Sequence, residues 1–181
     1  MDILIRAVAL SLLLALAPAT AGAAAETASD AAVKAAFIFS FAKFTEWPAL
    51  APGAPIVACV ANDDDIASAL VTIVRSEAIG GHAIVVWKRE DDGAWDGCHV
   101  LYVADGAIRR FAAVAPKIRS MPLLTVSAGR GFSQQGGMIE LYVESGRLRF
   151  AINLDTVERS GLHVSSRLLG LAKVVHDDPA R

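Results

Sequence analysis

Short runs of β-branched and aliphatic residues alternate with helical segments through most of the chain, and this alternation is the strongest constraint on its fold. The strand-like runs are IVACVA, HAIVVWKR, CHVLYVA and PLLTVSA. Between them, the segments DDIASALVTIVRSEAI and AIRRFAAVAPKI place apolar residues at helical spacing. Strands that alternate with helices form a largely parallel sheet with right-handed crossovers. We therefore predict an α/β domain with a mixed, mainly parallel sheet flanked by helices.

The last part of the chain has a different pattern. Ser145 and Gly146 form a turn signal between GMIELYVES and RLRFAIN, which predicts a C-terminal antiparallel hairpin. The segment LDTVERSG then predicts a short helix or turn. The segment SSRLLGLAKVV predicts a terminal amphipathic helix, with Ser165 or Ser166 as its cap.

The amino terminus has the features of an export signal. Arg6 precedes an apolar run, and small residues with A-x-A-like sites follow it. We predict a signal peptide over residues 1–25, cleaved near Ala23 to Ala25, and a single domain over residues 26–181. The alternative is an uncleaved anchor, but the apolar run is shorter than the roughly 20 residues that span a bilayer.

A second apolar segment, VKAAFIFSFAKFTEWP, is predicted to be the first core helix of the domain. Val33, Phe37, Phe41 and Phe44 form one stripe at helical spacing, and this stripe should face the core. Phe39 lies on the opposite side. Two lysines and a glutamate interrupt the segment, which excludes a second membrane span. The helix therefore has one apolar side for its own core and a further one for another layer or a partner.

The chain has two cysteines, Cys59 and Cys98. An even count in an exported protein favours a disulfide, while two separate buried thiols are the alternative. A bridge that closes a loop of about 40 residues would add roughly 4 kcal/mol in the chain-entropy description.

Charge and motif patterns point away from nucleic-acid binding and from common catalytic sites. The chain has 17 basic and 19 acidic residues, so it has no basic footprint for DNA or RNA. Gly131 and Gly136 have the spacing of a phosphate-binding loop, but Gly137 and Met138 stand where Lys and Ser or Thr are needed. Residues 63–65 are consecutive aspartates that we expect to cap a helix rather than bind a cation. We predict no catalytic residues, no metal and no cofactor.

Several motifs together resemble the YfiR-like periplasmic proteins. They are FxxFTEWP at Phe41–Pro48, GF followed by GGMI within Gly131–Ile139, RFAINL at Arg149–Leu154 and SSRLLGLA at Ser165–Ala172. The resemblance covers essentially the whole predicted mature chain.

The resemblance implies a regulatory function in the periplasm. A YfiR-like protein is expected to bind the periplasmic sensory domain of an inner-membrane diguanylate cyclase and to repress cyclic di-guanylate synthesis, and so biofilm formation. It also implies an oxidised Cys59–Cys98 pair, whereas the second disulfide that some members carry has no cysteines here. A homodimer is possible, and no membrane insertion is expected after signal cleavage. The alternative is a periplasmic small-molecule sensor, with its ligand at the carboxyl ends of the strands, or an accessory protein of another membrane receptor.

The predicted partner surface centres on the hairpin and on the glycine-rich segment before it. A shift of the partner between its active and inactive states requires several kcal/mol of differential affinity, which an apolar patch can supply. The predicted contact residues are Phe39, Gly136, Gly137, Met138, Phe150, Ile152 and Asn153.

Overall fold

The computed structural model describes residues 21–48, 50–90 and 95–177. Residues 1–20 of the predicted signal peptide lie outside the described residues, and the domain boundary at residue 26 stays a prediction. Within the described ranges, no helix combines the length and apolar character needed to cross a membrane.

The described elements follow the alternation predicted from the sequence. In chain order they are α1 (Ala21–Lys43), β1 (Thr45–Glu46), β2 (Ile56–Ala61), α2 (Asp64–Val74), β3 (Ala78–Ile79), β4 (His82–Arg89), β5 (Val100–Val103), α3 (Ile108–Ile118), β6 (Leu124–Ser127), β7 (Ile139–Glu144), β8 (Arg147–Asn153), α4 (Leu154–Arg159), β9 (His163–Val164), α5 (Ser166–Leu169) and β10 (Lys173–Val175).

Eight strands form one sheet in the order β10-β8-β7-β6-β5-β2-β4-β3. The pairs β4–β2, β2–β5, β5–β6, β6–β7 and β8–β10 are parallel. The hairpin pair β7–β8 and the edge pair β3–β4 are antiparallel. The predicted α/β class, with a mixed and mainly parallel sheet flanked by helices and a C-terminal hairpin, is confirmed.

The predicted terminal helix is wrong over most of its length. Ser165 caps a helix that ends at Leu169, and Gly170 follows it. Residues Lys173–Val175 then form β10, which pairs in parallel with Ala151–Asn153 of β8. The two β-branched valines suit a strand, and β8 has an open edge that satisfies their backbone groups. A tertiary partner therefore decides the conformation of this segment.

Alternate residues of each central strand point to opposite faces of the sheet, and each face has its own core. On β2, Ala58 belongs to the core that contains α1 and α2, while Cys59 belongs to the core that contains α3. We call these sides the α1 face and the α3 face.

The prediction that the aspartates at residues 63–65 cap a helix is confirmed at the start of α2. There the Asp63 side chain accepts a hydrogen bond from the Ile66 backbone N–H at 3.0 Å.

Candidate partner-binding surface

The apolar side of the hairpin is part of the core. Leu141 of β7 pairs with Phe150 of β8, and both are buried on the α1 face. The Phe150 ring lies 5.0 Å from the Phe41 ring and 6.0 Å from the Phe37 ring, measured between centroids. Ile152 is 0% exposed. Phe150 and Ile152 therefore form no contact surface, and their predicted partner role is corrected to a packing role against α1.

The glycine-rich segment before the hairpin is also structural. A Cβ atom at Gly137 would lie 2.2–2.7 Å from atoms of the Phe132 ring, so only glycine fits there. Gly136 has a φ of +89°, which favours glycine. Met138 is buried, and its backbone N–H donates to Thr125 Oγ1 at 3.0 Å. Of the three predicted contact residues in this segment, Gly136 alone is partly exposed, and packing explains the motif.

Asn153 joins three segments of the chain instead of facing a partner. Its side chain is buried, and Oδ1 accepts a hydrogen bond from the Thr156 backbone N–H at 3.0 Å, which caps α4. Its Nδ2 donates to the Ser133 carbonyl at 2.8 Å and to Asp177 Oδ1 at 2.9 Å. The predicted partner role of Asn153 is corrected to a structural one, because every polar atom of this buried amide has a protein acceptor or donor.

Phe39 remains partly exposed on α1. It packs against the outside of the α1-face core, and Lys43 Nζ lies 5.9 Å from its ring centroid. A cation at that distance is attracted by the ring face. Phe39 is therefore accessible to a partner, and its predicted role stays open.

The two cysteines form a disulfide on the α3 face. Cys59 lies on β2, and Cys98 lies just before β5, with 5.8 Å between their Cα atoms. Both are buried beside Trp95 and Phe111 in the smaller core. The bridge ties the long connection between β4 and β5 to the centre of the sheet, which is the pairing predicted from the sequence.

The opposite side of the hairpin is open, and the contact residues predicted from the sequence do not include it. On this α3 face, Glu140 and Lys173 flank Ala151 in one row across β7, β8 and β10, and Tyr142 pairs with Arg149 in the next row. These strands and the loop at residues 128–134 enclose an open cavity of about 530 Å³. We call it the hairpin groove; its main lining side chains are Arg130, Glu140, Tyr142, Ala151, Lys173 and Val175.

The side chains that line the hairpin groove carry a net positive charge, because Arg130 and Lys173 outnumber the carboxylate of Glu140. The Glu140 carboxylate accepts three hydrogen bonds, from the backbone N–H groups of Gly131 (3.0 Å) and Ser133 (3.1 Å) and from Ser133 Oγ (2.7 Å). It therefore holds the loop against β7. Arg130 and Lys173, by contrast, are exposed and make no ion pair with any described residue.

The alternation in RLRFAIN contains the signal for this open side. Arg147 and Arg149 alternate with Leu148 and Phe150, so the charged and the apolar side chains of β8 lie on opposite faces. The sequence thus separates the two sets of residues, although it does not show which set a helix covers.

Further cavities lie outside the hairpin groove. One, of about 310 Å³, lies between α3 and the C-terminal segment and includes Arg159, whose Nη1 is 2.7 Å from Asp177 Oδ2. Another, of about 420 Å³, lies where β2 and β4 end and includes Asn62 and Lys88, whose Nζ is 2.7 Å from Asp64 Oδ1. No group of three potential metal-binding side chains occurs within the described ranges.

One histidine at the amino ends of the strands has a shifted pKa. Burial lowers the pKa of the His99 imidazole, and the nearby His82 lowers it further. The Val57 backbone N–H donates to His99 Nδ1 at 3.1 Å, so this nitrogen acts as an acceptor in the neutral ring. Its ring also packs edge-on against Trp47, with 6.3 Å between centroids. His99 is thus a structural acceptor that protonation would disturb.

Comparison with models of known protein families identifies the family of this chain. The model of the YfiR/HmsC-like family matches residues 31–173. This range contains the disulfide, the hairpin, and the loop and strands that form most of the hairpin groove. The comparison with curated proteins finds no significant match.

Proposed function

The chain belongs to the YfiR/HmsC-like family, and from this membership we propose that it is a periplasmic regulator that represses an inner-membrane diguanylate cyclase. In this proposal the exported domain binds the sensory domain of the cyclase and lowers cyclic di-guanylate synthesis and biofilm formation. It acts by binding and not by catalysis. The observation that carries the proposal is the family match over residues 31–173, together with the resemblance of the motifs within it.

The physical mechanism that we propose is selective binding to one state of the cyclase. A protein that binds the inactive state more tightly shifts the population toward that state. A change from 1% to 99% inactive requires about 5.5 kcal/mol of differential affinity. The domain that supplies this energy is held together by two cores and a disulfide, which supports a rigid binding surface rather than a segment that folds on contact.

The experiment that tests this function measures cyclic di-guanylate in a deletion strain of the source bacterium. We expect the level to rise on deletion and to return when a plasmid supplies the full chain with its signal segment. A plasmid copy that lacks residues 1–25 is the matched control, since it should stay in the cytoplasm and fail to restore repression. An unchanged level on deletion would contradict the proposal.

A second candidate function is the sensing of a small molecule. The cavity of about 420 Å³ favours it, because it lies at the carboxyl ends of β2 and β4, where open α/β sheets bind ligands. Its lining includes two cations, Lys88 and Arg89, and two carboxylates, Asp64 and Glu90, so a small zwitterion would fit its chemistry.

Thermal shift measurements against a metabolite panel test this second function. A ligand that binds only the native state raises the melting temperature. We expect a true ligand of this cavity to lose its effect in the Lys88→Glu variant and to keep it in Lys117→Glu, a change on α3. A panel without any shift, or a shift that Lys88→Glu leaves unchanged, would contradict this function.

A further inference from the structure

We propose that the hairpin groove binds an extended acidic segment of another protein. The proposal rests on the proposed function in one respect, since the segment is assigned to the regulated receptor. The binding chemistry of the groove follows from its own residues, and it can be tested without that receptor.

The shape of the groove fits an extended segment. Its floor consists of three neighbouring strands, β7, β8 and β10. Ala151 is the small residue at the centre of this floor, between the longer side chains of Glu140 and Lys173 in the adjacent strands. This row leaves a depression with raised sides. The volume of about 530 Å³ is within the range of about 300–1,000 Å³ that is typical of binding clefts, and the groove is open to solvent.

The charge of the groove selects an acidic occupant. Arg130 and Lys173 line it, and Arg149 pairs across the strands with the lining residue Tyr142 on the same face. These three cations make no ion pair with the described residues. Glu140, the carboxylate in the lining, is held by three hydrogen bonds to the 131–133 loop. Glu144 also lies on this face, but it pairs across the hairpin with Arg147, so the three cations still outnumber Glu140. The whole chain has a formal net charge of -2, so this face has the opposite sign to the molecule and should attract carboxylates.

The apolar part of the groove selects a segment with alternating side chains. Tyr142 and Val175 provide partly buried apolar surface beside the cations. An extended strand presents successive side chains in opposite directions. A segment that alternates acidic and aliphatic residues can therefore direct its carboxylates to Arg130 and Lys173 while its aliphatic groups contact Tyr142.

The segment is expected to lie across the sheet face and not along the sheet edge. The outer strand β10 has three residues, Lys173–Val175. Short edge strands with lysine discourage backbone pairing with other chains. Side-chain contacts with the face are therefore the stronger source of specificity here.

Fluorescence anisotropy with a labelled, end-capped peptide tests the groove on the full mature chain in its disulfide form. The probe is Asp-Val-Asp-Leu-Asp, and the matched probe is Lys-Val-Lys-Leu-Lys. We expect saturable binding of the acidic probe and none of the basic one. Binding should weaken at least about ten-fold in Lys173→Glu and in Arg149→Glu, and it should weaken as salt is added.

Arg75→Glu is the matched control variant. It introduces the same charge change at an exposed position just after α2, away from the groove. It should bind the acidic probe as tightly as the unmodified chain does. Thermal melts of all three variants check that each one is folded, and the double variant Lys173→Ala/Arg149→Ala serves where a glutamate prevents folding.

Three results would overturn the proposal. The first is equal binding of both probes, or no saturable binding of the acidic one. The second is that the chain binds phosphatidylglycerol vesicles but not the acidic peptide, and that Lys173→Glu abolishes the vesicle binding. This result would assign the groove to an anionic lipid surface. The third is a dimer in sedimentation that Lys173→Glu dissociates, which would assign the groove to a second copy of this chain.

The groove and the proposed function can fail separately. Peptide binding with an unchanged cyclic di-guanylate level on deletion would uphold the groove and refute the cyclase role. A rise on deletion, fully reversed by plasmid copies of both Lys173→Glu and Arg149→Glu, would uphold the cyclase role and refute the groove as its binding site.

Discussion

The two faces of the hairpin differ in what covers them. The α1 face presents Leu141 and Phe150 to a helix from the start of the domain, and both side chains are buried. The α3 face presents Tyr142 and Arg149, and α3 packs over other strands, with Phe111 beside Trp95 and Phe132. One strand pair thus provides a core on one side and an accessible surface on the other. Apolar residues in the hairpin indicate the core, and a binding surface has to be sought among their neighbours.

The first and largest effect is expected at Phe150. The Phe150→Ala variant removes a buried ring that contacts Phe37 and Phe41, and it should lower the free energy of unfolding by about 3–5 kcal/mol. Urea denaturation measures this loss. A loss below about 1 kcal/mol would contradict the core role and return Phe150 to the surface role predicted from the sequence. Tyr142→Ala is the control on the opposite face, where a much smaller loss is expected.

The second effect tests the smaller core of the α3 face. The Cys59→Ser/Cys98→Ser variant removes the bridge between β2 and the segment before β5, whose cysteines are 39 residues apart. The free energy of unfolding should fall by about 2–4 kcal/mol. Reduction of the unmodified chain should give a similar loss, and the double variant should no longer respond to the reductant. If the double variant is as stable as the oxidised chain, the smaller core does not depend on the disulfide for its stability.

Much of the fold follows from local patterns. The run IVACVA became β2, the pair of runs around Ser145-Gly146 became the β7–β8 hairpin, and the two cysteines became a disulfide. These features depend on alternation, turn chemistry and cysteine count, which are local or compositional. The segment at Lys173–Val175 did not follow its local pattern, because the free edge of β8 decided its conformation.

The candidate site was harder to predict than the fold. The period of two along β8 places Phe150 and Ile152 on one face and Arg149 on the other, but the covering helix α1 is distant in sequence. Likewise, Gly137 resembles a loop glycine until the structure shows the Phe132 ring in contact range. Which face is covered is a property of the tertiary arrangement, so the contact residues predicted in the hairpin, Phe150 and Ile152, lie on the side that α1 covers.

The third effect concerns the amide that connects the hairpin to the C-terminal segment. The Asn153→Ala variant removes the cap of α4 and leaves the Ser133 carbonyl without its side-chain donor. We expect a loss of about 1–3 kcal/mol. Asn153→Asp is the informative comparison, because it keeps the cap acceptor but loses the donor to Ser133 and Asp177. Equal stability of the alanine variant and the unmodified chain would contradict the structural role.

The fourth effect is a pH dependence at the amino ends of β2 and β5. The pKa of His99 is lowered in the folded state, mainly by burial, from an ordinary value of 6.5. The unfolded chain therefore binds a proton there first, and stability is lost as the pH falls below about 6.5 toward the folded pKa. Denaturation at several pH values should show this loss.

The His99→Gln variant is the control for this pH dependence, since its amide oxygen can still accept from the Val57 N–H. The exposed pair of His176 and Asp155 has a raised histidine pKa, which acts in the opposite sense. If His99→Gln loses as much stability on acidification as the unmodified chain does, the pH dependence belongs to another group.

The smallest effect on stability, and the sharpest test of the two faces, is expected at Arg149. It is adjacent to Phe150 in the chain, but it is exposed and makes no ion pair with the described residues. Arg149→Ala should change the free energy of unfolding by less than about 0.5 kcal/mol. If the α3 face of the hairpin binds the partner, the same change should raise cyclic di-guanylate in a complemented deletion strain. A stable variant that represses fully would show that Arg149 is not needed for repression. A stable variant that fails to repress would separate folding, which depends on Phe150, from binding, which depends on its neighbour Arg149.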